Sequence, residues 1–112
     1  MDFNCEKVDD VVVVVLPGET LEASNSEDFK HDIASLLKAN TKVVFDMSHL
    51  QFVDSSGFGA LLSCLRRLKA QGGDLKLFGL AKPVGALFRM IRMDRILDIF
   101  DTKEEAVKAF QG

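Results

Sequence analysis

The side chains best suited to chemistry gather in one stretch, Asp46-Met47-Ser48-His49-Leu50-Gln51-Phe52-Val53-Asp54-Ser55-Ser56-Gly57-Phe58-Gly59. A histidine, an aspartate and paired serines so close together suggest nucleophilic catalysis. A hydrolase of the α/β type, however, holds its serine in Gly-x-Ser-x-Gly on a strand-to-helix elbow. Ser56 is preceded at that spacing by Asp54, so the motif is absent. No catalytic residue is assigned, and the chain is not read as an enzyme. His49 reads as a loop or partly buried histidine and His31 as one on a helix surface. What remains is Asp54-Ser55-Ser56-Gly57 at the start of a helix, which has two readings. The carboxylate and hydroxyls can cap orphan backbone N–H groups. Alternatively, the hydroxyls are offered outward, and Gly57 and Gly59 leave the first turn bare so that another backbone or a kinase can come close.

The flanking elements place that segment. Phe3 to Val8 and Val11 to Leu16, with Asp9-Asp10 between them, read as a hairpin. Its second strand, a β-branched run ended by Pro17-Gly18, reads as buried on both faces. A helix follows, with Ser24 and Glu27 at capping-box spacing, Asn25 or Ser26 as other caps, and Phe29, Ile33, Leu36 and Leu37 on one face. Lys42 to Met47 is a strand. Phe58, Leu61, Leu62, Leu65 and Leu68 form the stripe of the helix after the loop, which Gly72-Gly73 stops. Leu75 to Phe78 is a strand, and Pro83 opens a helix bearing Val84, Leu87, Phe88 and Ile91. Ile96 to Phe100 is an edge or final strand, and Thr102 with Glu105 caps a last helix carrying Val107 and Phe110. Strands alternating with helices imply right-handed crossovers. The expected fold is α/β: one domain over residues 1–112, a mainly parallel mixed sheet of about five strands with about four helices, the first strand antiparallel. Strand order does not follow.

Composition removes several classes. With 112 residues, 47% hydrophobic and 28% charged, the chain is an ordinary globular domain rather than a disordered or disulfide-built one. A net charge of -3 argues against a broad grip on nucleic acid. Arg66, Arg67, Lys69, Arg89, Arg92 and Arg95 are spread over two helices and read as solvated faces. Cys5 and Cys64 lie far apart in apolar stretches and read as buried reduced thiols, with no metal site. A response-regulator receiver needs an acidic pair after an early central strand. Asp9-Asp10 stands at the wrong end, so Asp46 reads as a strand-end acid. No Gly-rich phosphate loop is present, and no cofactor is expected. The N-terminal residues lack a secretion pattern, and no apolar run approaches the roughly 20 residues of a membrane span. A cytoplasmic protein without membrane insertion is expected, as a monomer.

Val43-Val44-Phe45-Asp46 followed by Val53-Asp54-Ser55-Ser56-Gly57-Phe58-Gly59 resembles the signature of STAS domains of the bacterial anti-sigma-factor antagonist type. The resemblance covers nearly the whole chain. Asp10 to Leu16 with Gly18-Glu19, Gly72 to Leu77, and Val84 to Phe110 agree with the family in order and spacing. It implies a partner switch controlled by phosphorylation. The unmodified antagonist binds an anti-sigma factor that is also a serine kinase, and so frees the sigma factor. Phosphorylation of the second serine, Ser56 here, abolishes binding, and a PP2C-type phosphatase restores it. Ser55 is the alternative acceptor, and Asp54 would help to place the hydroxyl. The family's aspartate after the Gly-Glu turn is matched by Glu22 with one residue inserted; a solvated loop acid is its other reading. The partner surface implied is Glu22, Asp54, Ser55, Ser56, Gly57 and Phe58. Arg67, on the exposed side of the second helix, is a further candidate. STAS domains also serve as accessory subunits of lipid-transport ATPases, in stress-signalling assemblies, and in switches with a non-sigma output.

Overall fold

The computed structural model describes residues 1–111. Strands β1 (Asn4–Val8) and β2 (Val11–Val15) form the antiparallel hairpin, closed by a turn in which Asp9 adopts a left-handed φ of 56°, a conformation that aspartate tolerates. Next come β3 (Thr20–Leu21), α1 (Ser26–Ala39), β4 (Lys42–Asp46), β5 (Phe52–Val53), α2 (Ser55–Ala70), β6 (Asp74–Phe78), α3 (Lys82–Met90), β7 (Asp98–Phe100) and α4 (Lys103–Lys108). The main sheet has the order β1-β2-β4-β6-β7, with every pair after the first parallel. The expected five-stranded mixed sheet and four helices are therefore present.

Alternation along the strands builds two cores. Val12, Val14, Val43, Phe45, Leu75 and Leu77 face α1, α2 and α3, whose Phe29, Ile33, Leu61, Leu68 and Phe88 complete the larger one. Val11, Val13 and Val44 face α4 through Ala106 and Val107. The valine run is buried on both faces because each face has its own helical cover. Lys76, also on the α4 side, is only 7% exposed. It is paired with Asp98 at 2.8 Å and Asp74 at 3.3 Å, and its ammonium lies 4.8 Å from the Phe110 ring centre.

Some local expectations need correction. The Ser24–Glu27 capping box does not form. Asn25 occupies the N-cap of α1, but its side chain is engaged by the preceding loop: Oδ1 accepts from the Glu22 N–H at 2.9 Å, and Nδ2 donates to the Thr20 carbonyl at 2.8 Å. The Thr102–Glu105 box does form. Ile91 lies past the end of α3 and Ile96 before β7, both exposed. Cys5 is not buried: it sits on β1, the outermost strand, and is exposed. Cys64 is buried, and burial pushes its thiol pKa up to about 12. Beyond the main sheet, β3 and β5 make a separate two-stranded parallel pair, Thr20 opposite Phe52 and Leu21 opposite Val53. Two-residue strands have no periodicity to read, so nothing in the local sequence announces them.

Candidate functional site

The β3–β5 pair clips together the two loops that leave the carboxyl ends of β2 and β4. The Gln51 N–H donates to the Glu19 carbonyl at 2.7 Å, and the Asp54 N–H donates to the Leu21 carbonyl at 3.3 Å. Leu21 and Val53 are sunk into the core, so the clip is anchored by apolar burial. The residues that follow each strand, Glu22-Ala23 and Asp54-Ser55-Ser56, are thereby brought side by side although some thirty positions separate them.

Asp54 joins them directly. As N-cap of α2, its Oδ1 accepts from the Gly57 N–H at 3.0 Å. Its Oδ2 accepts from the Ala23 N–H, across the clip, at 3.1 Å. The Gly57 N–H, reinforced by those of Ala23 and Ser56, outweighs partial desolvation and holds the carboxyl below the ordinary aspartate range. The cap reading therefore holds for Asp54. It does not extend to the serines: Ser55 and Ser56 are the first two residues of α2, both are exposed, and neither hydroxyl has a hydrogen-bond partner among the described residues. The helix start has its acceptor, and both nucleophilic oxygens stay available.

The two glycines divide the work. A Cβ on Gly57 would overlap the Leu21 carbonyl oxygen and come within 2.8 Å of Val53 Cγ1, so this glycine lets the molecule's own clip approach. A Cβ on Gly59 would meet nothing within 4 Å. Gly59 leaves open surface one turn beyond Ser56, where an outside molecule can approach closely.

The other implied partner residues are placed less uniformly. Glu22 is half-buried immediately after β3, beside the Ala23 amide that Asp54 holds. Phe58 turns inward in part, its ring in an edge contact with Phe88 at 4.9 Å. Arg67 is exposed and shares the Ser56 face of α2, but eleven residues of helix place it about 16 Å along the axis, so it does not flank the serine. It lines a shallow groove with Ala34, Lys38, Ala70 and Gln71 between α1 and α2. His49 is exposed and makes no hydrogen bond to either serine among the described residues. No group of three or more His, Cys, Asp or Glu residues suited to a metal occurs among the described residues. Sequence reasoning missed Ala23, Leu21 and Val53, which contribute backbone or packing rather than chemistry; Gly57 was the one signal of a close backbone approach.

A family model described as the STAS domain matches residues 2–106 of this chain. The anti-sigma F factor antagonist of Paenibacillus polymyxa is 29% identical over 98 residues, which cover 87% of this chain and 84% of that protein. Among solved structures, the Thermotoga maritima protein TM1081 is 28% identical with a TM-score of 0.88, covering 98% of this chain and 95% of that one. The anti-sigma factor antagonist SpoIIAA in its unphosphorylated form is 27% identical with a TM-score of 0.77, over 99% and 97% of the two chains. SpoIIAA, a Bacillus cell fate determinant, is also solved in a phosphorylated form, at 26% identity, a TM-score of 0.68, and 97% and 99% coverage.

Proposed function

Because the chain belongs to the STAS domain family and resembles anti-sigma-factor antagonists, regulatory binding proteins rather than enzymes, we propose that it is a bacterial anti-sigma-factor antagonist worked as a phosphorylation-controlled partner switch. The unmodified form, a single domain over residues 1–112 acting in the cytoplasm, binds an anti-sigma factor that is also a serine kinase and releases the sigma factor. The kinase phosphorylates Ser56, which ends the complex, and a PP2C-type phosphatase resets it. The observation that carries this reading is the pair of unbonded, exposed serine hydroxyls on a helix start already capped by Asp54. The existence of SpoIIAA in unphosphorylated and phosphorylated forms is the relevant precedent.

The energetics are adequate. A phosphoserine adds roughly -1.5 to -2 charges at pH 7. On the first turn of α2 the helix tolerates that charge. Toward a partner surface fitted to a neutral hydroxyl, it brings an unpaired dianion beside ionised Asp54 and near Glu22. Turning an equilibrium from 1:99 to 99:1 takes about 5.5 kcal/mol, and burying an unpaired charge costs several kcal/mol. One phosphate is enough to supply most of the switch.

Affinity capture from source-cell lysate with wild-type, Ser56→Ala and Ser56→Asp baits tests the reading. A protein of serine-kinase fold held by the first two and lost with the third is expected. One prey held equally by all three, such as a transporter ATPase, would overturn it. Phosphate mapping after Ser55→Ala and Ser56→Ala decides between the hydroxyls, with Ser56 expected.

A further inference from the structure

Five large apolar side chains are exposed among the described residues, and three of them fall within residues 90–96: Met90 at 74%, Ile91 at 47% and Ile96 at 56%. Arg89, Arg92 and Arg95 are interleaved with them, all exposed and none in an ion pair among the described residues. With Asp94 the only acid in the segment, 89–96 carries three positive charges and one negative, a local +2 on a chain of net charge -3. The backbone keeps these side chains outside. Helix α3 ends at Met90, Arg92 adopts a left-handed φ of 63°, and Met93–Arg95 form a single 3-10 turn. Met93 and Leu97 are buried and pin the knuckle to the core. The Ile96 and Leu97 N–H groups donate to the Met93 carbonyl at 3.0 and 2.9 Å. Met90, Ile91 and Ile96 therefore stay exposed on a rigid frame, at a cost that a monomer in water would avoid.

We propose that this knuckle docks the protein on the surface of an anionic lipid bilayer, the three guanidinium groups on lipid phosphates and the three apolar side chains in the interfacial layer. Arg matches phosphate through its planar fork, and exposed apolar side chains interleaved with cations are the composition of segments that lie in a bilayer interface. No helix among the described residues is long and apolar enough to cross a membrane, so the contact is superficial. The knuckle closes the crossover from β6 to the parallel strand β7, which it enters opposite Lys76 in the middle of β6. Membrane docking draws on none of the serine-site residues, so the two readings stand or fall separately, although Phe88, just before the knuckle, touches Phe58, two residues after Ser56.

Flotation of the full chain with vesicles of phosphatidylcholine alone, and of phosphatidylcholine mixed with phosphatidylglycerol, tests this at low salt. Binding to the mixed vesicles only is expected. The loss per arginine is about five-fold, so Arg89→Gln/Arg92→Gln/Arg95→Gln reduces partition on the order of a hundred-fold. Met90→Ser/Ile91→Ser/Ile96→Ser reduces it at least ten-fold with an unchanged circular-dichroism melt, and Lys38→Gln/Lys108→Gln retains it. No binding to either vesicle, equal binding to both, or an apolar variant that binds like wild type overturns the proposal.

Discussion

Asp54 does most for the site with the fewest atoms, since one carboxylate caps α2 and holds the Ala23 amide across the clip. Asp54→Ala should lower the thermal midpoint by a few degrees and weaken partner binding by freeing both loops, a pairing that calorimetry and affinity measurements check together. Its pH dependence has a definite sign. The folded pKa lies below the unfolded value of about 3.9. Its contribution is therefore complete above about pH 4 and is lost as pH falls through the folded value. Thermal melts of wild type and Asp54→Asn should differ near neutrality and converge in strong acid; curves that stay parallel would remove the carboxylate from this role. At this scale the sequence located the serines and their acidic neighbour, because Asp-Ser-Ser-Gly is a local pattern. It could not say which group caps the helix, since both kinds of side chain accept the same N–H.

Among the elements, the β3–β5 clip is the feature that local reading could not supply. Its four residues carry no period, and its register is set by burial of Leu21 and Val53. The glycines of α2 test it. Gly57→Ala should destabilise by about 1–3 kcal/mol through overpacking against the Leu21 carbonyl and Val53. Gly59→Ala should stabilise by about 0.5–1 kcal/mol, as alanine does in a helix interior, while weakening the proposed kinase complex by filling the open surface beside Ser56. Chemical denaturation and a binding titration of the two variants separate these effects. If Gly59→Ala bound unchanged, that face would not be part of the interface. The two capping boxes make the same point about context: Thr102–Glu105 closes because its side chains have no competitor, whereas Asn25, tied to Thr20 and Glu22, takes the N-cap of α1 from Ser24.

Over the whole molecule, the two cores make the cysteines inequivalent. Native protein should titrate one thiol, Cys5, more slowly than a free thiol because partial burial raises its pKa. Cys64, buried with a pKa near 12, should react only on unfolding. Two equivalents reacting at once in native buffer would contradict this packing. The same arrangement shows what was legible from residues alone. Hydrophobic periodicity determined the main strands and helices and their alternation, because apolar spacing records which side of each element meets the core. The Asp-Ser-Ser-Gly pattern then located the candidate site. Only tertiary structure decided the strand order, the exposure of Cys5 on an edge strand, and the meeting of Ala23 with Asp54. Those depend on contacts between residues far apart in the chain, whose free energy comes from shared burial and crossed backbone hydrogen bonds that no local window contains.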